Sequence, residues 1–183
     1  MALTVKQLVK RHGAFVSAMT ALFVGAALIV QRLFEILIAS LHVYGQQFGV
    51  GLWQILLPAL PFAFGFFVSL WIVAPIAEEL RIPHVVTRAV MATGVASTVV
   101  FIVLTVVGLA TAVSFDGYLF GQSFPAMRFD GSWAINAIVS ALTNAALTFV
   151  STLPLGVLAG VLLWIWRKDH PPRHPLSGLI DEV

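Results

Sequence analysis

The sequence predicts an all-α integral membrane protein, a bundle of four transmembrane helices with the N and C termini both cytoplasmic, and three observations carry that reading. The 183 residues are 60% hydrophobic and only 10% charged, with a mean hydropathy of +0.99, whereas soluble domains are roughly 25% charged. The ten basic and eight acidic residues cluster, leaving charge-free runs at 14–31, 36–77, 89–115 and 131–166. Each run can hold the ~20 apolar residues that cross a hydrocarbon core of about 30 Å. The basic residues are also lopsided. With the N terminus inside, Lys6, Lys10, Arg11, Arg81, Arg88, Arg167, Lys168 and Arg173 fall on the cytoplasmic side and only Arg32 and Arg128 outside, as the positive-inside rule requires.

The same composition excludes other classes. A water-soluble globule and a disordered chain both need more polar residues, and with no cysteine there is no disulfide framework or thiolate metal site. A pI near 9.4 could suggest nucleic acid, but the basic residues lie on membrane flanks and form no patch with interleaved aromatics. No nucleic-acid partner is expected.

Inside hydrocarbon, backbone groups must bond to one another, so the runs are read as helices. The expected spans are residues 13–32, 53–76, 87–113 and 134–166, within a single domain of residues 1–166. A five-span alternative would need a helix through Gly45-Gln46-Gln47-Phe48-Gly49 and would put one terminus outside. Trp53, Trp71, Trp133, Trp164 and Trp166 fall near span ends, where tryptophan is enriched. Span 1 follows Lys10-Arg11 and lacks a small-x-small cleavage site, so it reads as a retained signal-anchor.

Beyond Arg32 the apolar pattern continues, with Arg32, Glu35, Ala39, His42 and Gln46 on a heptad stripe. Helix 1 is therefore expected to extend to about Tyr44, and residues 33–50 form an outer amphipathic extension that projects outside or lies in the interface. Span 2 carries Pro58, Pro61 and Pro75, expected to bend it. The outer loop, residues 114–132, repeats Phe-Asp-Gly at Phe115 and Phe129 and is expected to form two turns beside aromatic anchors. Residues 167–183 form a proline-rich cytoplasmic tail.

Span 4 is the most informative. Every fourth residue, Ser132, Asn136, Ser140, Asn144, Thr148, Thr152, Gly156 and Gly160, is small or hydrogen-bonding, which marks a helix-packing edge or a polar path. Shorter companions such as Gly13, Ser17, Ala21 and Gly25 occur on the other spans. Tilt, a kink near Pro154 or projection outside is expected, because span 4 is longer than one bilayer crossing.

Catalytic chemistry lacks its parts. The ionisable residues Glu78, Glu79, Arg81, His84 and Arg88 gather at the inner end of spans 2 and 3, where Pro83 breaks the chain, and read as a charged cytoplasmic turn. None of the ionisable residues is expected mid-span. Within the turn, Ala74-Pro75-Ile76-Ala77-Glu78-Glu79-Leu80 resembles the first motif of the CPBP intramembrane metalloproteases, which implies a glutamate-based, metal-dependent site. The family's arginine would fall at Pro83, and no histidine lies between His84 and His170 to supply the later ligand motifs. The resemblance covers seven residues and is set aside. His-Glu-x-x-His, Gly-x-Ser-x-Gly and phosphate-loop patterns are absent, and neither a metal nor another cofactor is expected.

Those readings lead to a multi-pass protein of the cell membrane, non-enzymatic, an accessory subunit or scaffold working through helix–helix contacts. The alternative is a small transporter or channel with a polar path along the fourth helix. The expected partners are the lipid bilayer and either another membrane protein or further copies of the chain.

Overall fold

A computed structural model describes residues 14–42, 48–76, 80–111, 113–119, 122–129 and 131–170. Its elements are α1 (Ala14–His42), α2 (Phe48–Val68) running into a π-helical turn (Ser69–Val73), α3 (Ile82–Thr111), a hairpin of β1 (Val113–Leu119) and β2 (Gln122–Phe129), and α4 (Gly131–Asp169). Four of its helices are long and apolar enough to cross a membrane. The spans expected from the sequence each fall on one of them. Successive helices pack side by side, α3 and α4 share the most extensive interface, and α1 meets α4 to close the ring. The bundle has a hairpin end, at β1 and β2, and a turn end, between α2 and α3.

α1 runs unbroken past Arg32 to His42, in keeping with an apolar pattern that does not stop at the charges. The expected terminus at Tyr44, like Gln46 of the heptad stripe, lies outside the described residues. α2 continues as one helix through Pro58 and Pro61. Its end is chemically explicit. The Ala74 N–H bonds back five residues to Ser69 O at 2.7 Å, the wide π spacing, and Ala74 itself leaves helical geometry at φ −134°, ψ 59°. Proline disfavours the α region in the residue before it and donates no bond of its own, so Pro75 stops the helix here.

α3 begins at Ile82, five residues before the expected start, because Pro83 falls in the first turn, where a missing N–H costs nothing. Pro83 starts a helix as well as following a break. The outer loop departs from the two turns expected there: it is a two-stranded hairpin at one end of the helical bundle. Asp116 and Gly117 do not form a turn; they sit in β1, opposite Pro125 and Phe124, with a bulge between Ser114 and Asp116. Aromatic residues favour a pleated surface, and Pro125 is tolerated because both strands of a two-stranded sheet are edges. Asp130, in the second Phe-Asp-Gly phrase, lies outside the described residues, and Gly131 opens α4.

The core is Val24 and Leu28 of α1, Phe62, Phe66 and Leu70 from α2 and its π turn, Val85 and Val100 of α3, and Leu163 of α4. Phe62 and Phe66 stack with ring centres 6.0 Å apart. Helices meet where side chains are smallest. A Cβ placed on Gly25 would come within 2.8 Å of Ala63 Cβ, one on Gly108 within 2.8 Å of Ala137 Cβ, and one on Gly160 within 2.8 Å of Ala89 Cβ. In lipid, where burying apolar surface gives helices little reason to associate, such close backbone approach supplies the packing energy.

Candidate functional site

The residues singled out on span 4 do not share one environment. Thr148, Thr152, Gly156 and Gly160 are buried, Asn144 is half-buried, and Ser132, Asn136 and Ser140 are exposed. Four-residue steps advance about 400°, so the set drifts some 40° per step and cannot stay on one interface through all 39 residues of α4. The buried face follows a different spacing. Ala134, Ala141 and Thr148 recur every seven residues, as do Ala145, Thr152 and Ala159, and a seven-residue repeat drifts only about 20°. α3 answers with Val85 and Ala92, Ala89 and Ala96, and Thr93 and Val100. Seven-residue spacing on both partners is the pattern of coiled-coil-like packing.

At Thr148, which like Thr152 belongs to both spacings, a charged residue arrives from another helix. Arg32 of α1 donates through Nη2 to Thr148 Oγ1 at 3.0 Å and through Nη1 to Glu35 Oε2 at 2.7 Å. Gln31 Nε2 donates to the other Glu35 oxygen at 3.1 Å. The Arg32 side chain is 18% exposed and that of Glu35 47%. Arg32 Nε is buried without a partner. Thr148 keeps its carbonyl for the helix side, where it accepts the Thr152 hydroxyl at 2.6 Å.

The span expected to end at Arg32 is longer as an apolar helical segment, Ala14–Ile38, which takes in Arg32 and Glu35 near its hairpin end. A charge paired one turn away, at i,i+3, and braced by a neighbouring helix costs far less than a lone one, so the apolar pattern carries on through the pair. Arg32 and Thr148 are 116 residues apart in the chain, and nothing local to either announces the contact. The one available signal was the Gln31-Arg32-x-x-Glu35 spacing.

At the turn end, Glu78 and Glu79 lie outside the described residues, and Arg81 and His84 are exposed. Arg88 is half-buried and donates to the Pro75 carbonyl. Arg167, near the end of α4, donates to the Ile76 carbonyl. These carbonyls follow the break in α2 and lie outside any described helix. Two guanidiniums from two helices therefore close the open end of a third. Arg167 was expected only as a topology marker.

Among the described residues no group of three His, Asp or Glu side chains could hold a metal ion. Between the turn-end halves of α1 and α4 lies an apolar groove of about 650 Å³, which no local residue pattern announces. No family model matches the chain, and neither does any curated protein or solved structure. The site is therefore read from its own geometry.

Proposed function

We propose that the chain is a non-enzymatic, multi-pass protein of the cell membrane with both termini cytoplasmic, an accessory subunit or scaffold whose working surface is the hairpin-end half of α4. One observation carries the proposal. Asn136 and Ser140 are exposed beside exposed Ile135, Ile138, Val139 and Leu142, on a helix apolar enough to cross a membrane. Asn144, one turn on, spends its amide on its own helix, Nδ2 donating to Ser140 O at 2.9 Å. A primary amide facing hydrocarbon alone costs about 4–8 kcal/mol by transfer to cyclohexane. A second helix carrying hydrogen-bonding groups removes that cost.

A polar path along α4 would need a lumen beside the helix. What weighs against it is the space at Gly156 and Gly160, already filled by Thr93 and Ala89. The test is a photo-crosslinking residue at position 136 in native membranes. A single reproducible adduct, with another membrane protein or a second copy, is expected, and Asn136→Leu with Ser140→Leu should abolish complex formation while leaving helicity intact. A chain that yields no adduct and purifies as a monodisperse monomer refutes the proposal.

A further inference from the structure

The groove between the turn-end halves of α1 and α4 is a second feature, on different residues from the hairpin-end surface. Phe15, Met19 and Phe23 line it from α1, and Leu162, Trp166 and Asp169 from α4. The hydroxyl of Thr20, also in the lining, is taken up by Val16 O at 2.8 Å, so the walls offer little to a polar molecule. From Ala159 to Asp169 the α4 wall runs ten residues, about 15 Å at 1.5 Å per residue. That is half of a ~30 Å hydrocarbon core, the depth of one leaflet.

The mouth of the groove carries the chemistry. Asp169 is the last residue of α4, where the helix dipole disfavours a carboxylate. No described residue relieves it. Arg167 donates to Ile76 O, Lys168 Nζ sits 5.0 Å from the centre of the Trp164 ring, and the described ion pair is Arg32 with Glu35. Trp166 lies one turn below Asp169, as an aromatic at the headgroup boundary does. An alkyl-lined slot one leaflet deep, opening on a carboxylate that no described residue pairs, with Lys168 in the same helical turn, is complementary to a zwitterionic lipid.

We infer that this groove seats an acyl chain of a phospholipid with a primary-amine headgroup, its ammonium donating to Asp169 and its phosphate attracted by Lys168. A quaternary choline headgroup carries the same charge but has no N–H to donate, so the site discriminates between the two.

The experiment uses the full chain with Trp53, Trp71, Trp133 and Trp164 changed to Phe, leaving Trp166 as reporter. It is reconstituted in phosphatidylcholine vesicles containing brominated-chain phosphatidylethanolamine or brominated-chain phosphatidylcholine at equal mole fraction. Trp166 quenching should favour the ethanolamine lipid by about two- to fivefold, the size an exposed ion pair supports. Asp169→Asn should bring the ratio to one and Asp169→Glu should keep it. Thr20→Phe, which fills the slot, should lower quenching by both lipids. Equal quenching by the two lipids in the parent, a preference that survives Asp169→Asn, or quenching unaffected by Thr20→Phe each overturns the inference. If the four-fold Trp variant fails to fold, mass spectrometry of lipids retained by the unaltered chain in mild detergent gives the same ranking. There, ethanolamine lipid retained equally by parent and Asp169→Asn overturns it.

Discussion

The α3–α4 interface is most sharply tested at Gly156. A methyl group there would collide with Thr93 Oγ1 and touch Phe66 Cε2 at 3.5 Å. Thr93 cannot step aside freely, because it is fully buried and its hydroxyl donates to Ala89 O at 2.9 Å. Gly156→Ala must therefore push the helices apart or break that bond. Overpacking of this kind costs about 1–3 kcal/mol, and a lost side-chain hydrogen bond within a membrane bundle adds about 0.6 kcal/mol. Against this, alanine regains up to about 1 kcal/mol of helix propensity over glycine. The balance is a destabilisation of about 0.6–2.6 kcal/mol, roughly a 3- to 70-fold fall in the folded-to-unfolded ratio. Reversible unfolding in bicelles, followed by steric trapping or detergent titration, reads it directly. Thr93→Ala removes the colliding oxygen, so the double variant should be more stable than the two single effects sum to, by about 1 kcal/mol, as residues in contact couple. Gly94→Ala is the control, since the nearest atom to its new methyl is Phe149 Cε2 at 3.9 Å; it should be neutral or stabilising. If Gly156→Ala matches the parent, or Thr93→Ala gives no rescue, the interface is not where these contacts put it.

Thr148→Val removes the acceptor of Arg32 Nη2 with little change in shape, and should destabilise by up to about 1.7 kcal/mol, the upper range for interhelical hydrogen bonds in membranes. In an Arg32→Gln background the same change should cost much less, and additivity of the two would refute the contact. Arg88→Gln with Arg167→Gln frees the Pro75 and Ile76 carbonyls and should speed tryptic cleavage at exposed Arg81 in reconstituted vesicles; an unchanged cleavage rate counts against the brace. Gly160→Leu should disrupt folding more than Leu158→Gly, measured as yield of monodisperse protein, because the first drives a side chain into Ala89 while the second trims a residue 53% exposed. Equal yields would contradict the packing direction of α4.

The four helices were legible because hydrophobicity over about 20 residues is a property of the chain itself, and the helical continuation past Arg32 followed from Leu33, Phe34 and Ile36. Less was legible where a contact decides. The first Asp-Gly pair signals a turn locally, yet strand pairing with β2 holds Asp116 and Gly117 in β1. Pro83 signals a break, and the same fixed φ that ends one helix suits the first turn of the next. Arg32 reads as a boundary marker until Thr148 is beside it. The groove depends on how α1 and α4 diverge at the turn end, which neither helix encodes alone.

The span-4 pattern gains a different meaning once its two spacings are separated. A four-residue repeat of small and polar residues and a seven-residue repeat of buried ones share only part of one helix, since over the same ~28 residues the first turns through about 280° and the second through only about 80°, in the opposite sense. Thr148, Thr152, Gly156 and Gly160 belong to the shared stretch and are buried. Toward the hairpin end the repeats part, Ala134, Ala141 and Ala145 turning inward and Asn136 and Ser140 outward. Alanine is enough to let α3 approach, as Gly108 against Ala137 shows, so packing among the described residues leaves no task for the amide of Asn136. A polar group kept at a membrane-length surface without a folding task is expected to serve an interaction outside the chain, which is why the test at position 136 bears on function, whereas the test at Gly156 bears on the fold.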